Sequence, residues 1–270
     1  MNDISAIFET DPEQDQSMAL SLDYLQQLGH EDSVTEIRII GAAWHRGQVT
    51  RRNKATLSGY YDAAHYAQAV QDLQPYNGIG NIYATLNPVA PEIHARAHNR
   101  LVPYPQSTTS DDEVSRINWL PIDIDPYRPS NIPSSTAELH AALARRDEVL
   151  DHLESLLGPG HCISGMSGNG AHILIRVDLP NDPPSRTAIK RIGDALVAQF
   201  SDPRETGSQI YSSPRVGLDS TVYNPARIWK LPGTLAVKGD SVTELDRIHR
   251  RSTIDLHPVT PVHQRDLRVA

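Results

Sequence analysis

Apolar and polar positions alternate over residues 35–44 ("TEIRIIGAAW") and again over 54–62 ("KATLSGYYD"), a period of two that predicts half-buried strands joined by the polar stretch "HRGQVTRRN". Helical spacing governs "MALSLDYLQQLG" (18–29), closed by Gly29, and "AAHYAQAVQDLQ" (63–74), which stops before Pro75. "GIGNIYATLNPV" (78–89) predicts a strand running into an Asn-Pro turn, and "PEIHARAHNRL" (91–101) a short helix. A polar, proline-containing loop, "VPYPQSTTSDDE", then separates this first unit from a more regular second one.

The second unit opens with a strand over about 117–125 and continues into a helix whose start is marked by Ser135 and Glu138 at capping-box spacing. Leu139, Leu143, Leu150, Leu153 and Leu157 line one face of that helix, and Gly158-Pro159-Gly160 ends it. Two strand-like runs, "HCISGM" and "AHILIRVDL", are joined by the turn "SGNG"; a helix over 184–201 and a strand near 214–223 follow. The predicted fold class is α+β: an N-terminal α/β unit packed against an RRM-like β-α-β-β-α-β sheet. In domain terms, residues 1–35 are an arm and short helix, 36–257 a catalytic domain (36–110 and 111–257), and 258–270 a tail or linker.

One detail breaks the apolar pattern. In "LPIDIDP" Leu120, Ile122 and Ile124 fall on one face of the strand, so Asp123 and Asp125 share the other. Paired carboxylates resist ionising together unless a positive partner lies between them. In the expected sheet the first strand is central, which brings Asp219 of the last strand and His172 of the third beside the pair. Three carboxylates in a chain with a single cysteine, Cys162, describe an oxygen-rich site for Mg²⁺ or Mn²⁺ rather than Zn²⁺. Two such ions about 4 Å apart serve phosphoryl transfer. The glycine turn offers backbone N–H groups to an anion, His172 stands beside it, and Arg227 and Lys230 follow Asp219, a combination that points to a nucleoside triphosphate.

Net charge of -8 argues against a nucleic-acid partner for the chain as a whole. The imbalance is uneven: residues 1–160 carry 11 Lys+Arg against 22 Asp+Glu, and residues 161–270 carry 14 against 11. A basic groove in the second half is therefore compatible with the composition. The acidic start has no signal-peptide pattern, and no apolar run approaches the roughly 18 residues that span a bilayer, so a cytoplasmic protein without membrane contact is expected. His94 and His98 stand four apart, but the glutamate of H-E-x-x-H is missing, and a non-metal role is expected for them; Arg96 and Asn99 are candidates for contacts to nucleic-acid phosphates. Tyr127 is expected to pack rather than to read the sugar, and Cys162 to be a small core residue.

The ordered set "PIDIDP", "SGNGAH" and "LDSTVYNPARIWKLPGT" resembles the archaeo-eukaryotic primase superfamily, especially the primase-polymerase domains of plasmid, phage and mobile-element replication proteins. With "YATLNP" and "ARAHNRL", the similarity covers roughly residues 36–240. The resemblance implies a DNA-dependent primase-polymerase performing template-directed nucleotidyl transfer from NTPs or dNTPs. Asp123, Asp125 and Asp219 would hold two catalytic metals, Ser167, Asn169 and His172 would contact the nucleotide, and Arg227 and Lys230 its phosphates. Single-stranded template and primer are the implied partners, with a helicase on the same or a separate chain, since no G-x-x-x-x-G-K-[ST] loop is present. The relatives' cysteine-rich zinc module is missing, which bears on primer initiation. Two other readings use the same residues: a non-catalytic nucleic-acid-binding module and a metal-dependent phosphodiesterase.

Overall fold

The computed structural model describes residues 12–29, 32–45, 48–50, 55–204 and 214–262. The first part of the expected arm, residues 46–47 and 51–53 of the "HRGQVTRRN" connection and the end of the tail lie outside them.

Helix α1 (Pro12–Leu28) begins six residues before the apolar pattern, because its first turns are polar and exposed while Tyr24, Leu25 and Leu28 are buried. Strands β1 (Val34–Ile40), β2 (Ala43–His45), β3 (Gln48–Thr50) and β4 (Thr56–Asp62) follow, then α2 (Tyr66–Leu73), β5 (Asn81–Thr85) and β6 (Val102–Pro103). The second unit comprises β7 (Arg116–Pro126), α3 (Thr136–Leu157), β8 (Cys162–Met166), β9 (Ala171–Pro180), α4 (Pro183–Phe200), β10 (Val216–Leu218), β11 (Ile228–Lys230) and β12 (Thr253–Asp255). One five-stranded sheet runs β11-β5-β1-β4-β6, the other β10-β7-β9-β8-β12, and every pairing in them is antiparallel. The fold is thus α+β.

The chain crosses between sheets twice near its end. β11 returns to the first sheet and pairs with β5, whereas β12 extends the second beyond β8. Three differences from the sequence expectations have local causes. The short helix expected in "PEIHARAHNRL" is a 3₁₀ turn over Pro91–Arg96 that ends at Ala97, and Asn99 beyond it takes φ 46°. The strand expected near 214–223 is only three residues long, and just past it the Asp219 side chain accepts from the Thr221 N–H in a local turn. α4 starts at Pro183, with Asp182 accepting from the Ser185 N–H. The capping box of α3 forms as expected, with Ser135 and Glu138 bonding each other's backbone, and Gly158 at φ 82° ends the helix.

α3 packs over β7 and β9, and α4 over β10, burying Ala142, Val149, Leu153, Ile189 and Leu196 with Leu120, Ile122 and Ile124 in one continuous core. At the start of β7 the ladder slips between Ile117 and Trp119. The Asn87 side chain repairs the slip: its oxygen accepts from the Asn118 and Trp119 N–H groups at 2.7 and 3.1 Å. A residue of the first unit therefore sets the strand that carries the acids. Across the first sheet, Glu36 is wholly buried and bonded to Arg38, Ser58 and the Thr109 N–H.

Candidate active site

Strand alternation places the acids as the spacing required. Ile122 and Ile124 are wholly buried, while Asp123 and Asp125 open toward the opposite face and are half-buried. β9 sets His172 directly across from Asp123. β10 sets Gly217 across from Asp125, and one residue past its end the Asp219 N–H donates to the Asp123 carbonyl at 3.0 Å. Three stretches separated by about fifty residues each thus meet around one strand.

Glycine makes the meeting possible. A Cβ on Gly170 would lie 2.4 Å from Asp125 Oδ1 and 2.5 Å from the Ile124 carbonyl, and one on Gly165 would lie 2.7 Å from His172 Nε2. Gly170→Ala is expected to cost about 1–3 kcal/mol, the usual range for overpacking a tight contact, and to displace the Asp125 carboxylate. A thermal melt checks the first effect, and a transfer assay the second.

The electrostatics follow from this crowding. Burial, reinforced by the Asp125 and Asp219 charges, holds the Asp123 carboxyl well above the usual carboxylate range, and Lys238 and Arg227 offset part of that rise. Tyr83 of β5 reaches the same place: burial and the two aspartate charges push its hydroxyl up to about 12. Arg128 is 3.5 Å from Asp125, its guanidinium otherwise held by the Pro126 and Ile132 carbonyls. On the β9 side, His172 is buried, and burial lowers its pKa to about 3, so the ring is neutral. It meets Trp229 edge to face at 5.6 Å. Lys230 is buried beside them, its ammonium donating to the Leu235 carbonyl at 2.9 Å and lying 5.7 Å from the Tyr83 ring; burial brings its pKa down to about 7.

Several polar atoms here have nothing to bond. Both His172 ring nitrogens, Trp229 Nε1 and Arg227 Nε are buried without a hydrogen-bond partner among the described residues. Buried polar atoms are normally satisfied, and a cluster of exceptions at one place marks where a polar ligand would complete them.

The remaining residues are placed as follows. Ser167 closes the hairpin, its N–H donating to the Gly170 carbonyl and its hydroxyl accepting from the Gly170 N–H at 3.1 Å. Asn169 is buried with its side-chain oxygen on the Ser134 N–H at 2.9 Å, which ties the turn to the entry of α3. Arg227 donates to the Thr221 carbonyl and lies close enough to Asp123 for its charge to act there. Tyr127 donates to the Asp202 carbonyl and packs on Gly217. Away from this face, Arg96 pairs with Glu113, and Asn99 binds Asp62 and His94. His94 and His98 stack at 4.1 Å, and Cys162 is a buried free thiol.

Sequence reading missed Arg128, Lys238, Tyr83 and Trp229. Only Arg128 carried a usable signal, three residues after Asp125; Tyr83 and Lys238 reach the acids, and Trp229 reaches His172, through tertiary structure, and Lys238 lies more than a hundred residues from the acids in the chain.

Among the described residues, no set of three or more His, Cys, Asp or Glu side chains is gathered to hold a metal ion. The Asp219 carboxylate is engaged within its own loop, its Oδ1 accepting from the Thr221 N–H and hydroxyl, both at 2.8 Å. Asp123 and Asp125 nonetheless fit a hard divalent cation. They supply oxygen only, their mutual repulsion calls for a positive charge, and Mg²⁺ characteristically takes one or two carboxylates with waters and substrate phosphates filling the remaining positions.

No protein-family profile matches the chain, and no curated protein matches it. Among solved structures the chain is similar to the AEP domain of the cyanophage S-2L primase-polymerase, at 14% identity and a TM-score of 0.44, covering 93% of this chain and 96% of that one. It is also similar to the polymerase domain of Mycobacterium tuberculosis ligase D, solved in complex with DNA, at 16% identity and a TM-score of 0.43, covering 84% and 77%.

Proposed function

We propose that this chain is a DNA-dependent primase-polymerase, a nucleotidyltransferase that extends a strand on a single-stranded template from nucleoside triphosphates. The observation that supports it is the pairing of Asp123 and Asp125 on one strand face beside a buried, unpartnered His172, with the Asp219 backbone bonded to that of Asp123. The sheet order β10-β7-β9-β8, with α3 after the first strand and α4 after the third, is in this reading an RRM-like catalytic sheet, backed by the first sheet as the N-terminal α/β unit.

In transfer, a strand's 3′-hydroxyl oxygen bonds to the α-phosphorus of the nucleotide, the bond to the bridging oxygen breaks, pyrophosphate departs and the hydroxyl proton passes to solvent. Asp123 and Asp125 would hold Mg²⁺ or Mn²⁺, which supplies Lewis acidity toward phosphate oxygens and acidifies the attacking hydroxyl. A second ion would recruit Asp219, after rotation away from Thr221. Neutral His172 donates a ring N–H to a phosphate oxygen without adding charge. Lys230 and Arg227 add cationic donors, and the Trp229 indole N–H another. The Ser167–Gly170 hairpin and its Ser134 anchor hold His172 in register.

The test is a gel assay with single-stranded template, with and without an annealed primer, in Mg²⁺ or Mn²⁺ with ribo- or deoxyribonucleotides. Extension of the labelled primer is expected. Release of nucleotides from the labelled strand would instead make the protein a phosphodiesterase, and binding with neither reaction would make it a non-catalytic module.

A further inference from the structure

A cleft of about 1190 Å³ opens along β10, on the side of β7 away from β9, and reaches Asp125 and Asp219. Four cations border it: Arg128, Arg204, Arg215 and Lys238. Lys238 is half-buried, pairs with no acid among the described residues, and acts on Asp123 through its charge. Arg128 stands at Asp125, whereas exposed Arg204 stacks over the Tyr127 ring at 4.9 Å. The one glutamate on the wall, Glu138, is already neutralised by a two-pronged bond to Arg247 and by the Ser135 N–H. Against the Asp125 and Asp219 carboxylates the cleft therefore sets four cations, although the chain as a whole is acidic.

In-line displacement adds a geometric demand, because the attacking oxygen and the leaving group must approach the phosphorus from opposite sides. The unpartnered His172 and Trp229 donors, with Lys230, occupy the β9 and β11 side of the acids. An attacking hydroxyl then has to come from the β10 side, where the cleft lies. We infer that this cleft is the acceptor site, seating the backbone phosphates of the nucleic-acid strand whose 3′-hydroxyl attacks. The inference rests on the proposed transferase function. Arg204 and Lys238 bind phosphates of the primer strand; Arg128 sits between the last of them and Asp125.

Binding separates this assignment from turnover. Fluorescence anisotropy is measured without nucleotide on a template carrying a recessed primer and on the same template unprimed, over a salt series, for wild type and for Arg204→Ala combined with Lys238→Ala. The double variant is expected to bind the primed template about tenfold more weakly, with its salt slope reduced by about 1 for each cation removed. Affinity for unprimed template should be unchanged, the single variant Arg204→Ala should bind a fluorescent nucleotide as wild type does, and a melt confirms the fold. Equal losses on primed and unprimed DNA would overturn the assignment in favour of a template tract. Loss of nucleotide affinity with primed-template binding retained would assign the cleft to the triphosphate, and no change in any affinity would leave it without either substrate. Wild type that prefers primed DNA through these two cations but extends nothing sinks the transferase reading and not the cleft. Wild type that extends, with an unaffected double variant, sinks only the cleft.

Discussion

Asp123→Asn is expected to abolish strand extension, by at least about a thousandfold as befits loss of a charge-stabilising group at a reacting centre, while raising the melting temperature of the metal-free protein. The second half follows from the sign of the Asp123 shift. Its carboxyl stands above its ordinary value of 3.8, so ionisation opposes folding. That cost is fully present above the raised folded-state value, shrinks as the pH falls through it, and is gone below 3.8. Asparagine removes the charge at every pH. In EDTA at pH 7 the variant should therefore melt a few degrees higher, since 1 kcal/mol moves the midpoint of a chain this size by about 2–4 °C. The gap should close as the pH approaches 4. Mg²⁺ should stabilise wild type and leave the variant unmoved. A variant that melts lower than wild type in EDTA would mean that Asp123 carries a structural bond and not a strained charge.

Glu36→Ala should have the largest effect on the fold. Burial pushes the Glu36 carboxyl up, yet the Arg38, Ser58 and Thr109 hydrogen bonds and the Arg38 charge together bring it below its ordinary value. Truncation strands a mostly buried guanidinium, a hydroxyl and a backbone N–H at once. Breaking a buried pair in this way costs about 3–5 kcal/mol, or a melting temperature lower by roughly 10 °C. The wild-type contribution is present above the ordinary glutamate value of 4.5 and is lost as the pH falls through the lower folded-state value. Wild type and variant should accordingly converge in acid. A difference under about 2 °C at pH 7 would show that Arg38 and Thr109 find other partners.

How much of this was legible beforehand depended on how local each cause was. The period-two run through Ile122 and Ile124 dictated both the β7 strand and the face its acids share, and Ser135 with Glu138 announced α3 to the residue. Asp219 was found because the expected strand order put its segment beside Asp123, and the 3.0 Å backbone bond between them is that adjacency. The destination of β11 was not legible. "RIWK" is too short to declare a partner, and its pairing with Tyr83 depends on where the chain goes after Asp219. Lys230 was for that reason foreseen as a cation but not as a buried one, and Lys238 was not foreseen at all. Asn169 shows the converse limit: as part of a glycine turn it reads as a ligand contact, while its side-chain oxygen is bonded to the Ser134 backbone 35 residues earlier.

The late return of the chain to both sheets bears on synthesis as well as on architecture. Neither five-stranded sheet can be complete on the ribosome until the last tenth of the chain approaches, since β11 and β12 close them at residues 228–230 and 253–255. The Ser17 and Ser21 hydroxyls of α1 likewise wait for the Gly233 and Pro232 carbonyls, more than two hundred residues downstream. Such distant pairings make for slow folding from a collapsed, partly paired intermediate. A nascent chain stalled before Trp229 would hold the paired aspartates but lack the wall that Trp229 and Lys230 build against His172, so the charge-bearing strand would be made long before the pocket that gives it a use.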